Sequence, residues 1–232
     1  VTERSAILAK LARLAAVGAD HKHLADRLCE AARVMLAVDG VWITIQGEPT
    51  HQLPLSATDP TASALEDLED VVGQGPGRTA FEDDAPVTAV VQQETDPRWP
   101  EFSRAAWQRF GPLTMHVFPM RPDHEPFGVL ACYLTSGTTW SESAETAQFL
   151  ADTIGAALLQ EPVPEPDRGL TNGMWSARAE IHQATGMVIA QLRISADDAL
   201  ALLRAHAYAH DTTLGAIAHQ IITRQLDFRG ES

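Results

Sequence analysis

The sequence predicts an α+β domain, an antiparallel sheet flanked by helices, followed by a small all-α bundle of three helices. Three observations carry this expectation. Short β-branched and aromatic runs alternate with helical patterns through residues 1–160. The run Gln160-Glu161-Pro162-Val163-Pro164-Glu165-Pro166-Asp167 then interleaves prolines with acids and breaks every apolar period. Past it only helical patterns fit. The expected division is a first domain over 1–160, a semi-stiff Pro/acid-rich linker over 161–173 and a second domain over 174–232.

Helical stretches open the chain at Ala6–Val17 and Leu24–Val38, the second placing Leu24, Leu28, Ala31, Met35 and Leu36 on one face. Gly40–Ile45 is the first strand. A second strand is expected to end near Val71-Val72, before the glycine turn Gly73-Gln74-Gly75-Pro76-Gly77, with a brief helix from Arg78 to Glu82. Val87–Val91 reads as a third strand and Phe102–Phe110 as a helix. Met115–Pro119 and Phe127–Leu134 are two further strands joined by the polar turn Arg121–Glu125. The next helix has Ser141 as its candidate N-cap, Glu142 and Glu145 in its first turns, and runs through Phe149, Ile154 and Leu158. In the tail, Ala177–Leu192 aligns Ile181, Ala184, Val188 and Leu192. Ser195 caps a second helix with an acidic first turn, Asp197-Asp198. Thr212 or Thr213 caps a third, whose apolar stripe runs from Leu214 to Leu226. A bundle of about 55 residues is small for a self-sufficient core, so it is expected to dimerise or to dock on the first domain.

Charge narrows the partners. The 232 residues hold 17 Lys+Arg against 31 Asp+Glu, a formal net charge of -14. Residues 1–169 carry 12 basic against 25 acidic residues, and residues 170–232 carry five against six. Such a surface repels phosphate backbones and anionic membranes, which disfavours promiscuous nucleic-acid binding. DNA binding is further disfavoured because Ala199–His210 offers only Arg204 and Ile217–Leu226 only Arg224 to a groove. No apolar run reaches the roughly 18 residues that span a bilayer, and the opening residues are amphipathic, so a cytoplasmic chain is expected. Cys29 and Cys132 are too few for a disulfide framework or a cysteine-rich zinc site and read as reduced core residues.

The tail from Trp175 to Leu226 resembles the ANTAR domain, an RNA-binding module of bacterial antitermination regulators. The resemblance rests on Ile181-His182-Gln183-Ala184-Thr185-Gly186-Met187, on Ser195–Ala199 followed by Leu202-Leu203-Arg204-Ala205-His206-Ala207, and on Leu214 with Ile217-Ala218. Thr185 stands where many members carry Lys, which removes one phosphate-facing charge. Residues Leu8–Leu159 resemble a GAF domain, a sensor module that often precedes ANTAR in actinobacterial regulators. The matching pieces are Ala31–Ile45, Gly73-Gln74-Gly75-Pro76, Pro86-Val87, Asp96–Phe102 and Phe127–Leu130. Together these imply a GAF-like sheet flanked by helices, then a three-helix ANTAR bundle. The implied function is signal-responsive transcription antitermination by a homodimer whose paired ANTAR modules hold RNA hairpin loops, with a small-molecule effector or partner acting on the GAF domain.

Loop bases expose their faces to aromatic rings and guanidinium planes. Arg204 and Tyr208 are i,i+4 neighbours that present one cation and one ring on a common face. Arg178, His182 and Thr185 lie along a stripe of the preceding helix, and Gly186 would let an RNA backbone approach closely. These six are the expected RNA contacts. In the GAF-like domain, Trp42, Phe81, Trp99, Phe118 and Tyr133 are the candidate lining of a ligand cavity. The ligand is not legible. His206-x-x-x-His210 has metal-ligand spacing, with Asp211 beside it, but no cysteine accompanies it and no metal is expected; haem ligation by His116 or His124 is a minor alternative. The acid runs Glu66–Asp70 and Glu82–Asp84 read as solvated faces, and the glycine turn lacks the Lys-Ser/Thr ending of a phosphate loop. No hydrolase or nucleotide-cleaving signature is present, so an enzyme is not expected. The alternative, favoured by the acidic balance, is a GAF-driven regulator whose helical tail docks on a protein.

Overall fold

The computed structural model describes residues 2–19, 22–46, 52–160, 174–210 and 212–228, excepting the side chains of Thr2, Gln52, 174–179, His182 and Asp197. The expected linker over 161–173 lies outside the described residues. The chain divides into two compact units, one of Val1–Glu69 with Gln74–Val163, the other of Asp70–Gly73 with Pro164–Ser232.

The first unit is built on a five-stranded antiparallel sheet of order β2-β1-β5-β4-β3. Its strands are β1 (Gly40–Gln46), β2 (Gln52–Ala57), β3 (Val87–Val91), β4 (Leu113–Met120) and β5 (Gly128–Thr135). Strand side chains alternate between faces. Val41 and Ile43, Phe118 and Met120, and Leu130, Cys132 and Leu134 all turn to one face, where they pack with α1 (Thr2–Ala15), α2 (Leu24–Leu36) and α6 (Ala144–Gln160). Leu28, Ala32, Leu36, Leu150 and Ile154 are each no more than 2% exposed there. Full burial of such side chains contributes about 1.5–3 kcal/mol apiece for the larger ones, so this layer holds the unit together.

The opposite face carries Trp42, Thr44, Met115, Val117 and Tyr133. Here α3 (Pro60–Val72), α4 (Pro76–Glu82) and α5 (Pro100–Phe110) enter. Where a strand ending at Val71-Val72 was expected, the structure has helix α3. Asp59 Oδ1 accepts the backbone N–H groups of Thr61 (2.8 Å) and Ala62 (3.0 Å), and Pro60 sits at the first helical position, together a strong start signal. The second strand is instead β2, an edge strand that tolerates Pro54 because no partner needs its missing N–H. Helix α6 is capped by Ser143, whose Oγ accepts the Thr146 N–H at 3.0 Å, and not by Ser141.

The second unit contains α7 (Met174–Leu192), α8 (Ala196–Ala209) and α9 (Leu214–Ile222). Ala184, Val188, Leu203, Ala207, Ile217, Ala218 and Ile221 meet in its core, each at most 1% exposed. Ser195 Oγ accepts the Asp198 N–H at 3.1 Å and Thr213 Oγ1 accepts the Ala216 N–H at 3.1 Å, which settles the second and third caps. The third helix ends at Ile222, short of Leu226. His219 Nδ1 lies 3.4 Å from the Glu180 carboxylate and ties α9 to α7.

Candidate functional site

In the first unit the buried polar groups gather between the sheet and α3. Thr44 Oγ1 donates to Glu66 Oε1 at 2.7 Å. One helical turn on, Glu69 Oε2 accepts the Gly77 N–H at 2.8 Å. Both acids turn inward with Ala62 and Leu65 at helical spacing, Glu66 6% and Glu69 4% exposed. The expected solvated acidic face is therefore, at these two positions, part of the interior. Burial pushes the Glu69 carboxyl up to about 8, against the opposing pull of the Gly77 and Arg78 backbone N–H groups and the Arg78 charge. Glu69 Oε1 is buried without a hydrogen-bond partner among the described residues. The glycine turn has a packing reason: a Cβ on Gly77 would stand 2.7 Å from Glu69 Oε2, and one on Gly75 2.5 Å from Glu69 Cγ.

The five candidate aromatics do not converge. Trp42 (2% exposed) and Tyr133 (7%) share the α3-facing side of the sheet, while Phe81 is half-buried on α4. Trp99 is buried before α5 and its Nε1 donates to Thr79 Oγ1 at 2.8 Å, joining α5 to α4. Tyr133 donates its hydroxyl to Asp59 Oδ1 at 3.0 Å; burial first, then the Asp59 charge, pushes this phenol up to about 12. Phe118 lies on the other face of the sheet. It pairs with Leu130 in the sheet register and faces the α2/α6 core, its ring centroid 5.9 Å from that of Trp140. The His116 ring lies tilted against Trp140, centroids 4.2 Å apart, and is bonded to Thr88 Oγ1, with burial pulling its pKa down; His124 is exposed. A separate groove of about 300 Å³ borders the edge strand β3, between Val90 and Arg98.

In the second unit, the expected RNA contacts divide. Tyr208 on α8 is 48% exposed. Gly186 is exposed on α7, and a Cβ added there would meet nothing within 4 Å, so open surface lies over that backbone. Arg204 is half-buried. Thr185 is 6% exposed, turned by the helix toward the core beside Ala184, and its hydroxyl donates to Ile181 O at 2.7 Å. The side chains of Arg178 and His182 lie outside the described residues. At the end of α8 the rings of His206 and His210, whose spacing suits metal ligands but for which the sequence favours a surface or loop-contacting role, stack with centroids 4.1 Å apart. Among the described residues no group of three or more His, Cys, Asp or Glu gathers as a metal site, and no helix is long and apolar enough to cross a membrane.

Residues 20–158 match the family model of the GAF domain, and residues 175–222 match that of the ANTAR domain. Among solved structures, the chain is similar to the GAF domain/HD domain protein from Geobacter sulfurreducens, at 13% identity over 57% of this chain and 89% of that one, with a TM-score of 0.43. It is also similar to the nlh2 GAF domain of A. aeolicus in an inactive state (11% identity, 68% and 93% covered, TM-score 0.43). The GAF-B domain of DevS from Mycobacterium smegmatis is a third (17%, 57% and 88%, 0.39). No curated protein matches the chain.

Proposed function

We propose that this chain, which belongs to the GAF domain family and ends in an ANTAR domain, so joining a sensing module to an RNA-binding antitermination module, works as a dimer that binds paired RNA hairpin loops in response to a signal. The two modules are regulatory, and no catalytic role is assigned to either. The proposed limits are 1–160 for the sensor, 161–173 for the linker and 174–232 for the RNA-binding domain, in a protein of the cytoplasm, where transcripts are made.

The observation that carries the reading is Tyr208, a large ring left 48% exposed on α8, while the described apolar side chains of the cluster around Leu203 and Ile217 pack inward. An exposed ring offers a face to an unstacked loop base, and such stacking contributes about 1–3 kcal/mol per base. Five basic residues against six acidic ones give each tail little counterion release, so one module binds feebly at physiological salt. Two modules on one RNA raise the effective concentration of the second contact. Dimerisation is therefore a requirement of the reading. For the sensor, a small molecule acts only if it binds two arrangements of the chain unequally.

The near-neutral tail also favours a second reading, docking on a protein partner. Single Tyr208→Ala and Arg204→Ala variants separate the two when RNA affinity is measured with the dimer verified by light scattering. A loss of about fivefold or more for Tyr208→Ala supports the RNA reading. Unchanged affinity in both variants removes this contact face.

A further inference from the structure

We propose that His210 is a second base-stacking platform of the RNA-binding domain, a pre-arranged imidazole on which one unstacked loop base lies. The inference rests on the RNA reading above. His210 is the C-cap residue of α8, and its Nδ1 lies 2.9 Å from the His206 carbonyl oxygen. A carbonyl only accepts, so Nδ1 carries the proton and Nε2 is the ring's remaining polar atom. This bond fixes the ring plane. Beneath it the His206 ring stacks at 4.1 Å with an interplanar angle of 25°, and Phe228, itself 8% exposed, meets His206 edge-on at 5.4 Å and 85°. Three rings thus form a short column anchored in the core at Phe228 and ending at the exposed His210.

Capping alone does not account for this column. The His206 carbonyl already accepts the His210 backbone N–H at 3.2 Å, so satisfying it needs neither the imidazole, nor a second imidazole beneath the first, nor a phenyl ring bracing that. Ordering an exposed side chain costs rotamer entropy and returns little burial. What the arrangement gains is pre-organisation: a ring already held flat loses less freedom when a base settles on it. Loop bases are the part of RNA that stacks on aromatic and histidine rings. In a domain with five basic residues against six acidic ones, added stacking area offsets weak phosphate attraction.

Two variants of the full chain separate stacking from capping. His210→Phe keeps a ring and loses the side-chain donor to His206, whose carbonyl still accepts the His210 backbone N–H; His210→Asn keeps a side-chain donor and loses the ring. Their affinities are compared by fluorescence anisotropy on transcripts with two tandem hairpins, enriched on the wild-type chain from a randomised-loop pool, after melting curves confirm folded helices. His210→Phe is expected to stay within about twofold of wild type and His210→Asn to lose about fivefold or more. Wild-type affinity in His210→Asn, or an equal loss in both variants, overturns the platform. Failure of the wild-type chain to enrich any transcript overturns the RNA reading itself, a distinct result.

Discussion

Glu69 on α3 and Gly77 on α4 hold each other in place: the carboxylate takes the Gly77 N–H at 2.8 Å, in a space that only a residue without a Cβ leaves open. The bond joins two covering helices under the sheet. A buried carboxyl pushed up to about 8 keeps its proton in the folded chain at pH values where the unfolded chain has lost it. Stability from this group is therefore fully present below the unfolded value near 4.5 and is lost as pH rises toward 8, at up to about 1.4 kcal/mol per pH unit. Urea unfolding followed by tryptophan fluorescence, with four of the five tryptophans in residues 1–160, should show the first unit weaker at pH 8 than at pH 5. Glu69→Gln should remove most of that decline.

Gly77→Ala should cost about 1–3 kcal/mol, because the new methyl stands against Glu69 Oε2 in a packed interior. In a Glu69→Ala background the same substitution should cost much less, and the double-mutant cycle reads the difference as coupling. Additive losses would show that the contact does not govern this turn.

Ser195→Ala and Thr213→Ala each remove the acceptor that satisfies an orphan N–H at a helix start, and each should destabilise the tail by about 0.5–2 kcal/mol. Helical circular dichroism on heating reads this directly. The Ser141→Ala change should leave the melt of α6 unmoved, since Ser143 holds that cap.

Much of this architecture was legible because its signals are local. The short apolar, β-branched and aromatic runs of β1, β3, β4 and β5 announced themselves, and Ser195 announced its helix. The misses share a cause: they depend on partners distant in sequence. Val71-Val72 carries strand-like residues, yet the Asp59-Pro60 start and the inward spacing of Ala62, Leu65, Glu66 and Glu69 make a helix; that spacing was the available signal for the two buried acids. Strand β2 hides behind Pro54, which is tolerated only because the strand is an edge. Phe118 and Tyr133 are both strand aromatics, and only the register, Phe118 against Leu130 and Met115 against Tyr133, assigns them to opposite faces. Gly186 and Tyr208 stand exposed, whereas the helix turns Thr185 inward beside Ala184, where its hydroxyl donates to the Ile181 carbonyl.

Removing core volume from the helix trio should be costly. Ile217→Ala, at a position 1% exposed among Val188, Leu203 and Ile221, should lose about 2–5 kcal/mol and with it the folded tail at moderate temperature. A melt displaced by less than about 1 kcal/mol would mean that the trio draws little of its stability from this cluster.

The central claim, that two ANTAR modules act together on RNA, is tested most directly by the ratio of affinities for a two-hairpin and a one-hairpin transcript. Both are titrated at low ionic strength against the full chain, with its dimer verified in the same buffer. The account predicts that the two-hairpin RNA binds at least tenfold tighter. Equal affinity for both, or no binding of either by a folded dimer, would contradict it.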